Sequence, residues 1–194
     1  MVASSARLDG LRYVSPLRQG DLSNLCGLYS VLNAVQLACW RIPPSNDQLR
    51  ELLKFGFRHL TKRRLLARVV AFGMDQDVWT ELGIALIDYS NELLSTSLAL
   101  EPLPLRSGRS KRESAPEAVR KLKGALFQGH PVLCGFGGAL GHYTVLAGYS
   151  EHRLTLFDSS GFRWIEQRSI GASERSGKRH WLYADSARAV VDTW

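Results

Sequence analysis

Three side chains with complementary chemistry stand out: the thiol of Cys26, the imidazole of His142 and the carboxylate of Asp158. Cys26 is followed by Gly27 and then by Leu28, Val31, Leu32, Val35 and Cys39 at helical spacing. A thiol in the first turn of a helix sits where the partial positive charge of the macrodipole favours the nucleophilic thiolate. The backbone N–H groups of that turn have no intrahelical acceptor, so they point towards an oxyanion formed at the sulfur. Gly27 is expected to leave space beside the sulfur for a substrate backbone. Gln19, seven positions before Cys26, can bring a side-chain amide to the same oxyanion.

His142 opens the run HYTVLAGY and follows GGALG, whose glycines are expected to clear one edge so that a general base can reach the thiol. Asp158 closes the next run, RLTLFDS. A hairpin with the three-residue loop Ser150 to His152 would pair Tyr149 with Arg153 and set Asp158 opposite Thr144. The carboxylate then shares a face with His142 and lies diagonal to it, whereas a loop of even length would turn it away. There it orients the ring and stabilises the imidazolium, and it can also cap the turn at Ser159-Ser160-Gly161. Cys39 points well off the Cys26 direction of the helix and Cys134 alternates within a buried strand, so both read as small hydrophobes. His59, His130, His152 and His180 have no acidic or thiol partner at a telling spacing.

Positioning these groups requires a helix behind Cys26 and a sheet beneath His142 and Asp158. The helical pattern from Cys26 to Trp40 stops at Pro43-Pro44. Ser45 or Asn46 caps a second helix expected over Asp47–Phe55 and ending near Gly56, a third is expected over 61–72, and a fourth over Asp75–Asp88. Residues 96–112 read as extended and then as loop. Ser114 and Glu117 form a capping box, with Pro116 in the first turn of a helix that runs to about Gln128. The runs 131–137, 142–149 and 153–159 are rich in strand formers, and 162–168 and 181–185 are two more candidate strands. The expected fold is α+β: a helical N-terminal half with the nucleophile at a helix N-terminus, and an antiparallel β-sheet in the C-terminal half. Residues 1–194 are expected to form one domain, with a basic loop insertion near 102–114.

The 194 residues are ample for a single core. Hydrophobic residues at 45% and charged ones at 22% exclude an intrinsically disordered chain. No apolar run approaches the roughly 20 residues needed to cross a bilayer. The N-terminus carries no signal-peptide pattern, and three cysteines without metal spacing argue against a disulfide scaffold or a zinc site. A cytoplasmic protein is expected, with export as an effector left open; no metal or cofactor is expected. Lys plus Arg at 25 against Asp plus Glu at 18 leave a net charge of +7. Arg58, Lys62, Arg63, Arg64 and Arg68 read as the solvated face of a helix, and Arg106, Arg109, Lys111 and Arg112 as an exposed loop. No helix-turn-helix, zinc-finger or aromatic RNA-binding signature accompanies either group, so nucleic acid is not the expected partner.

In chain order, Gln19, Cys26-Gly27 at a helix start, Gly141-His142 at a strand start and Asp158 in LFDSSG resemble the papain-like cysteine peptidases. The set is similar to the bacteriocin-processing (double-glycine leader) peptidases, with their Gln…Cys-Gly, His and Asp-x-x-Gly elements. NLCGLYSVLNAVQ is also similar to the Cys-bearing helix of Josephin-type deubiquitinases. The resemblance implies Cys26 as nucleophile, His142 as base, Asp158 as orienter and Gln19 as oxyanion-hole donor. The gap of seven from Gln19 to Cys26 is one longer than in the leader peptidases, which makes Asn24 the alternative donor. It further implies that Trp164 shields the His–Asp pair, with an aromatic of the sheet core as the alternative reading of the same residue. The implied reaction is hydrolysis of a peptide or isopeptide bond after a small residue, on a protein or peptide substrate with a Gly-Gly tail, because both families act after glycine pairs. The same site chemistry admits a papain-fold deamidase or acyltransferase effector, and an inactive binding module is the alternative of a different class. The basic loop 106–112 would dock an acidic substrate region or be an inert insertion.

Overall fold

The computed structural model describes residues 4–20, 24–107, 111–112 and 114–193; Arg109 of the basic loop lies outside them. The apolar spacing of the first half folds into four helices. The first, α1 (Cys26–Ala38), is buried along most of its length. The second, α2 (Asn46–Lys62), begins with a reciprocal cap in which Gln48 N–H donates to the Ser45 hydroxyl and Ser45 N–H to the Gln48 side chain. It runs through Gly56 instead of ending there. A Cβ at Gly56 would stand 2.5 Å from Leu28 Cδ1, so this glycine is a close helix contact and not a terminator. The helix stops where Arg64 turns left-handed at φ 58°, which leaves only α3 (Leu66–Phe72) of the expected third helix. The fourth, α4 (Gln76–Leu94), starts from Asp75, whose carboxylate accepts Val78 N–H at 2.9 Å, and extends past Asp88. The basic residues 58, 62, 63, 64 and 68 are all exposed, as a solvated helix face should be.

The second half is mainly sheet. Its strands are β1 (Ala6–Arg7), β2 (Leu98–Pro102), β5 (Val132–Gly138), β6 (His142–Tyr149), β7 (Arg153–Phe157), β8 (Trp164–Glu166), β9 (Ile170–Gly171), β10 (His180–Leu182) and β11 (Arg188–Asp192), with the small hairpin β3 (Arg106–Ser107) and β4 (Lys111–Arg112) standing apart. The main order β2-β11-β5-β6-β7-β8 is antiparallel throughout. The short β10 pairs antiparallel with β5 and parallel with β9. The C-terminal β11, unforeseen from sequence, lies between β2 and β5 and draws β2 into the sheet. Between the insertion and β5 comes α5 (Ala115–Phe127), where the Glu117 carboxylate accepts both the N–H and the hydroxyl of Ser114. The sheet divides two apolar clusters. On one side α1, α2 and α4 pack on Leu133, Tyr143, Val145 and Phe157; on the other α5 packs on Val132, Cys134, Phe136 and Leu146. Among the described residues no helix is long and apolar enough to cross a membrane.

The β6–β7 hairpin reaches the expected register by an unexpected route. Tyr149 pairs with Leu154, not Arg153, so the connection is one residue longer than anticipated. Between Leu146 and Gly148 a bulge adds one residue to β6, and beyond it Leu146 faces Leu156 and Val145 faces Phe157. The two offsets cancel. Asp158 therefore continues the register opposite Thr144, on the face that carries His142.

Gly27 also serves a different end from the one its neighbourhood suggested. A Cβ there would lie 2.7 Å from Trp79 Cδ1 and 3.2 Å from Met74 Sδ, so the missing side chain makes room for the core and not for a substrate. Trp79 is buried and its Nε1–H donates to Gly27 O at 3.1 Å and Ser30 Oγ at 3.3 Å, so the ring cannot step aside. Gly27→Ala is expected to lower folding stability by about 1–3 kcal/mol through overpacking, despite alanine's better helix propensity. An unchanged denaturant midpoint would show that the Trp79 pocket yields.

Candidate active site

Cys26 is the first residue of α1, and the helix's own hydrogen-bond ladder begins with Tyr29 N–H donating to Leu25 O at 3.0 Å. The N–H groups of Cys26, Gly27 and Leu28 precede that ladder and face the helix entrance, where an anion is favoured. The entrance is held from two sides. Trp79 grips the Gly27 carbonyl, and Asn24 Nδ2 donates to the carbonyls of Val70 at 3.1 Å and Ala71 at 3.0 Å, tying α1 to the end of α3. The amide of Asn24 is thus committed to backbone carbonyls.

His142 begins β6, so its imidazole stands at the end of the strand. Its Nε2 lies 2.8 Å from Asp158 Oδ2, with both side chains buried. That contact leaves Nδ1 unused, and Cys26 lines the same cleft as His142 and acts on the ring's protonation. The second carboxylate oxygen, Oδ1, accepts the N–H groups of Ser160 at 2.8 Å and Phe162 at 3.2 Å. The orienting and turn-capping geometries hold together on one side chain. Burial alone would lower the His142 pKa, but the hydrogen bond to Asp158 and the interaction with Cys26 outweigh it and push it up to about 9. Burial likewise favours a neutral Asp158, yet the hydrogen bond to His142 and the imidazolium charge hold it below the usual carboxylate range. At neutral pH the pair is therefore an imidazolium on a carboxylate.

The ring against His142 is Phe162, edge-on at 5.8 Å and 68°. Trp164, expected in that place, instead lies under the guanidinium of Arg153 at 4.8 Å, because β8 pairs it with Thr155. Gln19 is brought to the turn that follows Asp158. Its N–H donates to Ser159 O at 3.2 Å, its Nε2 donates to Ser160 Oγ at 2.8 Å, and its Oε1 is buried without a hydrogen bond.

Cys26 and His142 open into a cleft of about 400 Å³ between the end of α3 and the start of β6. Phe72, 85% exposed, and Tyr183 stand at this cleft, and sequence reasoning missed both because neither belongs to a periodic pattern. The glycines of GGALG act unequally. Gly137 and Gly138 are covered by the Trp181 ring, while Gly141, at φ 53°, opens on the cleft. The other thiols lie elsewhere. Burial and the Asp192 carboxylate push Cys39 up to about 11, and burial pushes Cys134 up further. His59, expected to lack an acidic partner, stands 3.7 Å from Glu81. Among the described residues no group of three or more His, Cys, Asp or Glu side chains could hold a metal ion.

Because the folded chain raises His142 above its ordinary 6.5, the protonated ring stabilises the fold. That contribution is complete below about 6.5 and is lost as pH rises through about 9. In Asp158→Asn the His142 ring should titrate well below 9 when followed by NMR, and the alkaline loss of stability should move to lower pH with it. An unmoved ring midpoint would show that the carboxylate does not hold the proton.

No family model matches the chain, and no curated protein matches it in sequence.

Proposed function

We propose that this chain is a papain-like thiol hydrolase that cleaves a peptide or isopeptide bond through a Cys26–His142–Asp158 triad. The observation that carries the reading is the buried Nε2–Oδ2 bond of His142 and Asp158, which leaves Nδ1 to a thiol at a helix N-terminus. In the proposed reaction the Cys26 thiolate attacks the carbonyl carbon, and its oxygen becomes an oxyanion held by the N–H groups that open α1. The imidazolium gives its Nδ1 proton to the leaving amine as the C–N bond breaks, leaving a thioester on Cys26. His142 then takes a proton from water, the hydroxide attacks the thioester, and the thiolate departs. Asp158 keeps the ring in place and offsets its charge throughout. Preference for a small residue, glycine first, rests on the resemblance to two families that act after glycine pairs.

Gln19 enters as the side-chain oxyanion donor with its amide turned over. In that orientation the Ser160 hydroxyl donates to Oε1, and the NH2 group takes the buried position that has no partner. Peptide amides and ubiquitin-like tails ending in Gly-Gly are the substrates to assay. Cys26→Ala and His142→Ala should abolish turnover. Gln19→Ala should lower kcat by about 10²–10³ while leaving the rate of Cys26 alkylation by iodoacetamide unchanged, since alkylation develops no oxyanion. Equal losses in both would make Gln19 a positioning residue. The hydrolase reading fails if Cys26 is alkylated no faster at neutral pH than the half-buried Cys39 and the buried Cys134, or if His142→Ala leaves its pH profile unaltered.

A further inference from the structure

A second concavity, of about 720 Å³, lies against the same His–Asp pair, between the lead-in loop that follows β1 and strands β7 and β8. The pair is the wall between them: His142 lines the cleft that holds Cys26, and Asp158 lines this groove. Arg7, Arg18, Arg153 and Arg163 ring it, all exposed, and none pairs with a carboxylate among the described residues. Asp158 is the one acid among its described lining residues, and that side chain is buried and already shared by His142 and the turn amides. Phe162 and Trp164 stand exposed among the arginines at 44% and 49%. Four guanidiniums that pair with no carboxylate among the described residues focus a positive potential in a concavity, and exposed rings between them offer an apolar anchor.

We propose that this groove docks an acidic segment of the substrate polypeptide, its carboxylates paired with the four arginines and an apolar side chain resting on Phe162 and Trp164. The assignment of the occupant as substrate rests on the thiol-hydrolase reading. Phe162, which lines the groove, meets the ring of His142, which lines the Cys26 cleft, so a polypeptide held at the thiol has only this aromatic contact to pass to reach the groove. The planar guanidinium fork matches a carboxylate with two parallel hydrogen bonds. At about 0.15 M salt the screening length is about 8 Å, so these rim pairs act only at close range and weaken as salt rises.

The test uses the full chain carrying Cys26→Ala, which separates binding from turnover. The probe is a fluorescein-labelled peptide rich in Glu with one central Phe, followed by anisotropy against its Gln counterpart and a single-stranded oligonucleotide of equal charge. Arg153→Glu with Arg163→Glu should weaken the Glu peptide by about tenfold or more. Arg120→Glu with Lys123→Glu, an equal charge change beside another cavity at α5, should leave it unchanged. With Cys26 restored, the Arg153→Glu, Arg163→Glu chain should keep the parent rate of Cys26 alkylation, which shows that the fold is intact. Equal loss in the two charge-reversed pairs would reduce the effect to net charge and overturn the proposal. So would equal binding of the Gln peptide, or tighter binding of the oligonucleotide. If the parent Cys26 is unreactive while the Glu peptide still binds with these dependences, the hydrolase reading falls and the acidic-segment site stands.

Discussion

The indole of Trp79 joins three elements that have no neighbourhood in sequence. From α4 its Nε1–H reaches the Gly27 carbonyl and the Ser30 hydroxyl on α1, and its ring stacks on Tyr143 of β6 at 4.5 Å and 21°. Gly27 follows Cys26 and Tyr143 follows His142, so one buried ring spaces the helix that carries the thiol from the strand that carries the imidazole. A tryptophan has two side-chain torsions, and in a close-packed interior neither is free to turn. The separation of Cys26 and His142 is accordingly a property of the core. The residues around the ring follow from this: glycine at 27 because the indole takes the space of a Cβ, and a small hydroxyl at 30 that donates to the Gly27 carbonyl.

The charge pair depends on a different constraint. Burial penalises both an imidazolium and a carboxylate, and each is tolerable only because the other stands beside it. Asp158 adds the N–H groups of Ser160 and Phe162 on its second oxygen, which requires the chain to double back sharply after β7. Gly161, at φ 95°, makes that return possible, and the guanidinium of Arg18 occupies the space its side chain would fill. Gln19 ties the lead-in loop to the same turn through Ser159 and Ser160. The turn thus collects the orienting carboxylate, the edge-on Phe162 and the start of the arginine groove, so the chemistry and the surface beside it share one local geometry.

Charge is distributed unevenly around this centre. On the Cys26 side Asp75 lines the cleft, but its carboxylate caps α4 and pairs with Arg68 at 2.9 Å. On the Asp158 side the four arginines pair with no carboxylate among the described residues. The net charge of +7 therefore has a direction with respect to the site, which neither the total nor its spread along the chain conveys.

What the sequence by itself determined is local. The start of α1 at Cys26 follows from apolar spacing, the caps at Ser45 and Ser114 from residue type, and the start of β6 at His142 from a change of period after a glycine. The Cys, His and Asp were legible because their types are unusual where they stand. Partners distant in sequence were decided only by the tertiary structure. Gly56 looked like a helix stop and is a contact with Leu28; Gly27 looked like room for a ligand and is room for Trp79. Trp164 looked like the shield of His142, a place taken by Phe162. The face of Asp158 came out as expected although the loop length did not, because a bulge in β6 restored the parity that the longer connection had broken. Periodicity and capping act within a few residues and leave their mark on the sequence. Register, the filling of a missing Cβ and the pooling of arginines from three segments arise when the sheet and helices close on one another, and no local pattern encodes them.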